Sequence, residues 1–154
     1  MLVAYESLGE DARAHIFPSS RKFYPQELPQ IKSKAEEFCQ GLEAQVAVLA
    51  PYDHFLLFFV AEETPLDTDQ HEALIGFVQG LEKEFGMVLL DKINVVFKQG
   101  SHLQRKEIPE FKKMIRNRSV SKKTIVFDPM IRNKAEYEEF WESPAEYSWI
   151  AHLF

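Results

Sequence analysis

Residues 45–61 read QVAVLAPYDHFLLFFVA, and the placement of this stretch decides the fold. Two short apolar runs, QVAVLA and HFLLFFVA, flank the turn-like Pro51-Tyr52-Asp53. Both runs are rich in β-branched or aromatic residues, and both are too short for a buried helix. That combination predicts a β-hairpin. Phe55 to Val60 is apolar at every position, so neither face of the second strand can look at water, and a central strand is expected.

Upstream of the hairpin lies PQELPQIKSKAEEFCQGLEAQ. Leu28, Ile31, Ala35, Phe38 and Leu42 recur at steps of three and four, which places them on one helical face. Pro29 falls in the first turn, where its missing N–H costs no helical bond. Before this helix, AHIFPSS reads as a strand from about Ala14 to Phe17. Downstream of the hairpin, a second helix is expected from about Asp69 to Phe85. Leu74, Phe77, Val78, Leu81 and Phe85 form its apolar stripe, and Gly86 stops it.

INVVFKQ then reads as a strand and IPEFKKMIRN as a short helix with Ile108, Phe111 and Ile115 inward. TIVFDPMI is a strand broken at Pro129. Two helices are expected to follow. One is NKAEYEEFWES, with Asn133 as cap and Glu136 three residues later. The other is SPAEYSW, with Ser143 as cap, Pro144 at the first helical position and Glu146 at the third. The order β-α-β-β-α-β followed by α-β-α-α predicts an α+β protein. Its first six elements match a ferredoxin-like split βαβ unit, a mainly antiparallel sheet with two helices on one face. A chain of 154 residues suits a single domain over 1–154.

Composition narrows the class. Hydrophobic residues make up 45% and charged residues 27%, an ordinary globular balance, and thirteen phenylalanines predict an aromatic core. Cys39 is the single cysteine, so no disulfide can form within the chain, and a reducing compartment is expected. The first residues, MLVAYESLGEDAR, lack the basic and apolar regions of a signal peptide. The longest apolar run, Phe55 to Ala61, is far short of the roughly 20 residues a membrane helix needs. These features predict a cytoplasmic location and no membrane association.

VAEETPLDTDQHEAL, Val60 to Leu74, gathers five carboxylates and His71. Counted from Asp67, the calcium-loop positions that require Gly and a bidentate acid hold Glu72 and Val78, so that loop is excluded. No metal-ligand spacing singles out Glu62, Glu63, Asp67, Asp69 and His71, and no metal is expected. Asp67 with Gln70, or Asp69 with Glu72, instead has the spacing of a helix-capping box, and acids suit a helix N-terminus.

Several functions lack their residues. There is no GxxxxGK[ST] and no GxGxxG, so no loop is present to cradle a nucleotide phosphate, and ATPase activity is not expected. Gly-x-Ser-x-Gly is absent. Cys39, mid-helix beside Phe38, is expected to be buried as a small apolar residue. The five histidines are scattered without a pairing pattern. No cofactor is implied, and no catalytic residue can be assigned.

Two regions remain as candidates. Residues 98–123 carry nine Lys/Arg against Glu107 and Glu110, a local charge of +7 in a chain of −6, leaving −13 elsewhere. Such polarity makes an oriented field that selects anionic partners. Lys112, Lys113, Arg116, Arg105 and Lys106 are the candidate anion- or partner-binding residues. The segment lacks the interleaved aromatics of single-strand binders and any recognition motif, so a dedicated nucleic-acid role is not expected. The second region is FPSSRKF, where Ser19, Ser20 and Arg21 follow a strand directly and could present polar groups in a pocket.

AHIFPSSRKF, FVQGLEKEFGMVLLDKINVVFK, EFKKMI, TIVFDPMI and FWESPAEYSWIAHLF together resemble a family of small cytosolic bacterial proteins, mainly of the Bacteroidetes group, often labelled "ABC transporter ATPase". These stretches span most of residues 13–154. The resemblance implies no established activity, and the residues an ATPase needs are missing here. This chain departs from the family's Gly/Ser/Cys-containing turn at TPLDTDQHEAL, and from its asparagine pair at Asp128-Pro129. Carried over position by position, a shared site would include Ser20, Arg21, Trp141 and Trp149.

The leading expectation is a non-catalytic binding or interaction module with an acidic protein or other anionic ligand at the basic segment. The alternative is a small-molecule enzyme or ligand-binding domain whose pocket is lined by Ser19, Ser20 and Arg21, with acids near Glu62 and Glu63. The aromatic load of residues 140–154 should dock on the body of the domain or on a second copy, so a homodimer is an option.

Overall fold

The computed structural model describes residues 1–91 and 93–154. Helices and two antiparallel sheets alternate along the chain, as the α+β reading expects. The packing divides into two compact units. One comprises Met1–Asp91 with Arg132–Ala135, the other Lys92–Ile131 with Glu136–Phe154.

In the first unit the hairpin forms as read. Strand β2 (Val46–Leu49) and strand β3 (Phe55–Val60) pair antiparallel, and strand β1 (Arg13–Pro18) pairs with the other edge of β3. All six β3 residues are buried, which is why this strand must be central. Tyr52 and Asp53, both at positive φ, turn the chain between the hairpin strands. Helix α1 (Leu28–Gln40) buries Ile31, Ala35 and Cys39, and helix α2 (Thr68–Phe85) buries Leu74, Val78 and Leu81. These residues share one core with Phe17, Leu56, Phe58 and Val60 from the sheet. Each fully buried Leu, Val or Phe side chain there contributes on the order of 1.5–3 kcal/mol.

Asp67 settles the start of α2. Its carboxylate accepts from the Gln70 N–H at 2.8 Å, and the Gln70 side chain accepts from the Asp67 N–H at 3.1 Å. Asp69 lies in the first turn, where a carboxylate suits the helix dipole. Gly86 ends α2 at φ 66°, in the left-handed region that glycine enters without steric cost.

The ferredoxin-like order is not what forms. Its first three strands stand in the order β1-β3-β2, but strand β4 (Val95–Gln99) does not join them. Residues 132–135 lie along the edge of β1 instead: Ala14 N–H donates to Arg132 O, and Lys134 N–H donates to Ala12 O. β4 belongs to the second unit, in a sheet of order β5-β4-β6-β7.

The reason is a strand that the apolar pattern hides. Strand β5 (His102–Lys106) reads HLQRK, with one apolar residue, and it pairs with β4 through a tight turn at Gly100, φ 63°. It is an edge strand, and charged side chains there discourage pairing with other chains. Strand β6 (Ile125–Phe127) pairs with β4 and with strand β7 (Glu142–Pro144). Helix α3 (Ile108–Arg116) buries Phe111 against Phe97, ring centroids 5.1 Å apart.

The C-terminal reading needs a second correction. Helix α4 (Lys134–Phe140) forms, but SPAEYSW is not an α-helix. Ser143 and Pro144 lie in β7, followed by a 3-10 turn at Ala145–Tyr147. The Ser143 hydroxyl donates back to Phe140 O at 2.8 Å instead of capping a helix. The expected α-β-α-α tail is thus built with two additional strands, β5 and β7. The aromatic tail still docks, within the second unit. Trp141 packs on Phe127 and Tyr137, Trp149 Nε1 donates to Phe127 O, and Ile150 is fully buried.

Candidate functional site

The geometry at FPSSRKF is structural. Ser19 is fully buried, and its hydroxyl meets Met87 Sδ at 3.4 Å. Ser20 makes two bonds to Val88: its N–H donates to Val88 O, and its hydroxyl accepts from Val88 N–H, both at 2.9 Å. Arg21 forms a two-pronged pair with Glu27, at 2.5 and 3.3 Å, and donates to Phe85 O at 2.6 Å. A cation there satisfies a carbonyl at the C-terminal end of α2 and favours the helix dipole. The guanidinium also sits 4.1 Å from the Tyr24 ring centroid. The hydrogen bond from Arg21 holds the Glu27 carboxyl below its ordinary range, against a smaller opposing effect of burial. These groups tie the β1–α1 turn to the end of α2. Trp141 and Trp149, in the second unit, are likewise committed to packing and to a backbone carbonyl.

Cys39 behaves as read. It is fully buried on α1, and burial pushes its thiol up to about 12, far from the range of a reactive thiolate.

A cleft lies elsewhere in the first unit, with a volume of about 560 Å³. It arises because the helix-facing side of β1 changes character along the strand. Phe17, His15 and Arg13 alternate onto one face, paired with Leu56, Phe58 and Val60 of β3. Phe17 is in the core, His15 is half-buried and Arg13 is exposed. The far wall is the first turn of α2, with Thr68 and His71. The rings of His15 and His71 stand 5.7 Å apart, inclined by 49°. Asp11 and Glu62 add carboxylates, and Val60, Ala61, Pro65 and Leu66 give an apolar side. Glu62 is the one residue of the expected pocket that this cleft contains.

Periodicity did not flag this cleft. The available signal was R-x-H-x-F at residues 13–17, two polar residues on the inward face of a strand. It escapes notice when the strand is started at Ala14. Among the described residues, no group of three or more His, Cys, Asp or Glu side chains is placed to hold a metal ion.

The basic segment divides by secondary structure. Lys98 pairs with Glu142 at 2.6 Å, and Lys106 lies 3.8 Å from Glu110. Arg105 is half-buried on β5. Lys112, Lys113 and Arg116 are exposed on the side of α3 away from Phe111, and among the described residues they enter no ion pair. Arg118, Lys122 and Lys123, in the loop after α3, are exposed too. Glu146 donates its N–H to Lys122 O. Among the described residues, no helix is long and apolar enough to cross a membrane.

No protein-family model, no curated protein and no solved structure matches this chain.

Proposed function

We propose that this protein is a non-catalytic binding module of the cytosol that docks an acidic protein partner on the cationic face of α3 and the loop after it. One observation carries the reading. Lys112, Lys113 and Arg116 are presented together by a helix that Phe111 anchors, and none is neutralised by a neighbouring carboxylate among the described residues. Residues three and four apart on a helix are neighbours, so two of these cations can meet one anionic surface. Complementary charge of this kind steers encounter and sets orientation. Tyr147 stands 78% exposed, next in sequence to the Glu146 that is bonded to the Lys122 backbone. The single buried cysteine supports a reducing compartment. The resemblance to the bacterial family adds no reaction to this reading.

The test is a titration of isotope-labelled protein with poly-L-glutamate and, separately, with duplex DNA of equal charge. The reading predicts shifts confined to α3 and residues 117–123 with poly-L-glutamate, weakening as salt rises. Stronger binding of DNA would replace the acidic-protein partner with nucleic acid. No shift with either polyanion would leave α3 a solvated face and remove the reading.

A further inference from the structure

The cleft beside β1 has a different chemistry from the α3 face, and it stands or falls independently. We infer that it binds a small zwitterion of the α-amino-acid class, with an aliphatic side chain.

The argument rests on three properties of the lining. The first is size. About 560 Å³ falls within the range of small-molecule sites and exceeds what one ion needs. The second is mixed charge without internal neutralisation. Arg13, Asp11 and Glu62 line one cleft, yet among the described residues none of the three enters an ion pair. Asp67 also lines it, but Asp67 Oδ1 is committed to the Gln70 N–H.

Each single-charged ligand therefore meets an opposing group. A simple carboxylate would pair with Arg13 and face Asp11 and Glu62. A simple ammonium would pair with an acid and face Arg13. A ligand with both groups satisfies both signs. A guanidinium is a planar fork that matches a carboxylate, and a carboxylate accepts readily from an ammonium. The Thr68 hydroxyl and the His71 imidazole supply further hydrogen-bonding groups on the α2 wall.

The third property is the apolar side made by Val60, Ala61, Pro65 and Leu66. Val60 and Ala61 are buried at 1% and 4% exposure, so the apolar surface open to a ligand on this side is that of Pro65 and Leu66. An aliphatic side chain laid there would lose its contact with water. A few charged groups together with an apolar patch in one cleft are the combination that small-ligand sites use for orientation.

The experiment uses the full chain. The common L-amino acids are screened by thermal shift at about 10 mM, a level that detects millimolar binders. Any hit is measured by calorimetry beside its two single-charge analogues, for leucine isoamylamine and isocaproate. The variants are Arg13→Gln and Glu62→Gln, both at exposed positions, with the unliganded melting temperature as the check on folding. The expected result is an aliphatic amino acid that binds, with each analogue and each variant weaker by about ten- to a hundredfold, the loss expected when a charged hydrogen bond is removed. The inference is overturned if no amino acid binds, if an analogue binds as well as the parent, or if both variants bind like wild type. Retained binding on the α3 face in that case would leave the partner-docking reading untouched.

Discussion

Two cations of the first unit and three of the second are used in opposite ways. In the first unit, Arg21 lies between Glu27, the Phe85 carbonyl and the Tyr24 ring. Lys134 is buried, with Nζ donating to Tyr5 O and Leu8 O and lying 4.3 Å from the Tyr5 ring centroid. Both hold chain segments together. In the second unit, Lys112, Lys113 and Arg116 touch no carboxylate within ion-pair distance among the described residues. The first unit carries a formal charge of −8 and the second +2. Arg21 and Lys134 are thus committed to structure, while the three cations of α3 are left open. A cation's role follows from its neighbours, and the same residue type is tied into the structure at Arg21 and Lys134 and open to solvent on α3.

That contrast can be broken by mutation. The largest effect should come from the packed core of the first unit. Phe58→Ala removes a ring that meets Phe17 and Phe77 edge-on, and should cost about 3–5 kcal/mol in chemical denaturation. A loss under about 1 kcal/mol would mean that β3 is not the packed centre described here.

Next comes the structural cation. Glu27→Gln leaves the partly buried Arg21 without its carboxylate, and should cost about 2–4 kcal/mol near neutral pH. The sign of the pH dependence follows from the direction of the shift. Glu27 is held below its ordinary value of 4.5, so its stabilisation is complete above that value and fades as pH falls through the lower, folded-state value. Melting temperatures of wild type and variant should therefore converge on acidification. A gap that stays constant down to strongly acid pH would show that the ion pair is not its source.

The helix cap is a smaller term. Asp67→Ala should cost about 0.5–2 kcal/mol, and Asp69→Ala less, since Asp67 makes the capping bond. Equal losses at both positions would contradict the assigned cap. Smallest of all should be the open cations. Reversing Lys112, Lys113 and Arg116 to Glu should shift stability by only about 0.5 kcal/mol per site, in contrast to Glu27→Gln.

How legible each region was depends on how much apolar surface it buries. β3, α1 and α2 each carry an uninterrupted apolar face, and hydrophobic period alone locates them. Asp67 and Gly86 then mark the ends of α2 through local backbone chemistry. The second sheet is built from short strands. β5 carries Leu103 as its apolar residue, and β7 is three residues long, with its pairing supplied by β6. Such strands are specified by partners distant in sequence, which a local pattern does not record. SPAEYSW carries the local marks of a helix start, yet pairing with β6 outweighs them.

The site shows the same division. The exposed charges of α3 were legible, because a run of cations can be counted. The role of Ser19, Ser20 and Arg21 was not, because Glu27, Phe85, Met87 and Val88 come to them through the tertiary fold. Arg13 and His15 gain meaning from facing α2 across the end of a sheet.

The central claim is that the cations left open in the second unit are the docking surface. Its most direct test is capture of the partner with wild-type protein and with the Lys112→Glu, Lys113→Glu, Arg116→Glu variant, at low and at moderate salt, with bound proteins quantified. The account predicts an acidic protein that wild type retains at low salt, releases as salt rises, and that the folded triple variant fails to retain at either. Equal retention by both proteins, or retention by wild type that is indifferent to salt, would contradict it.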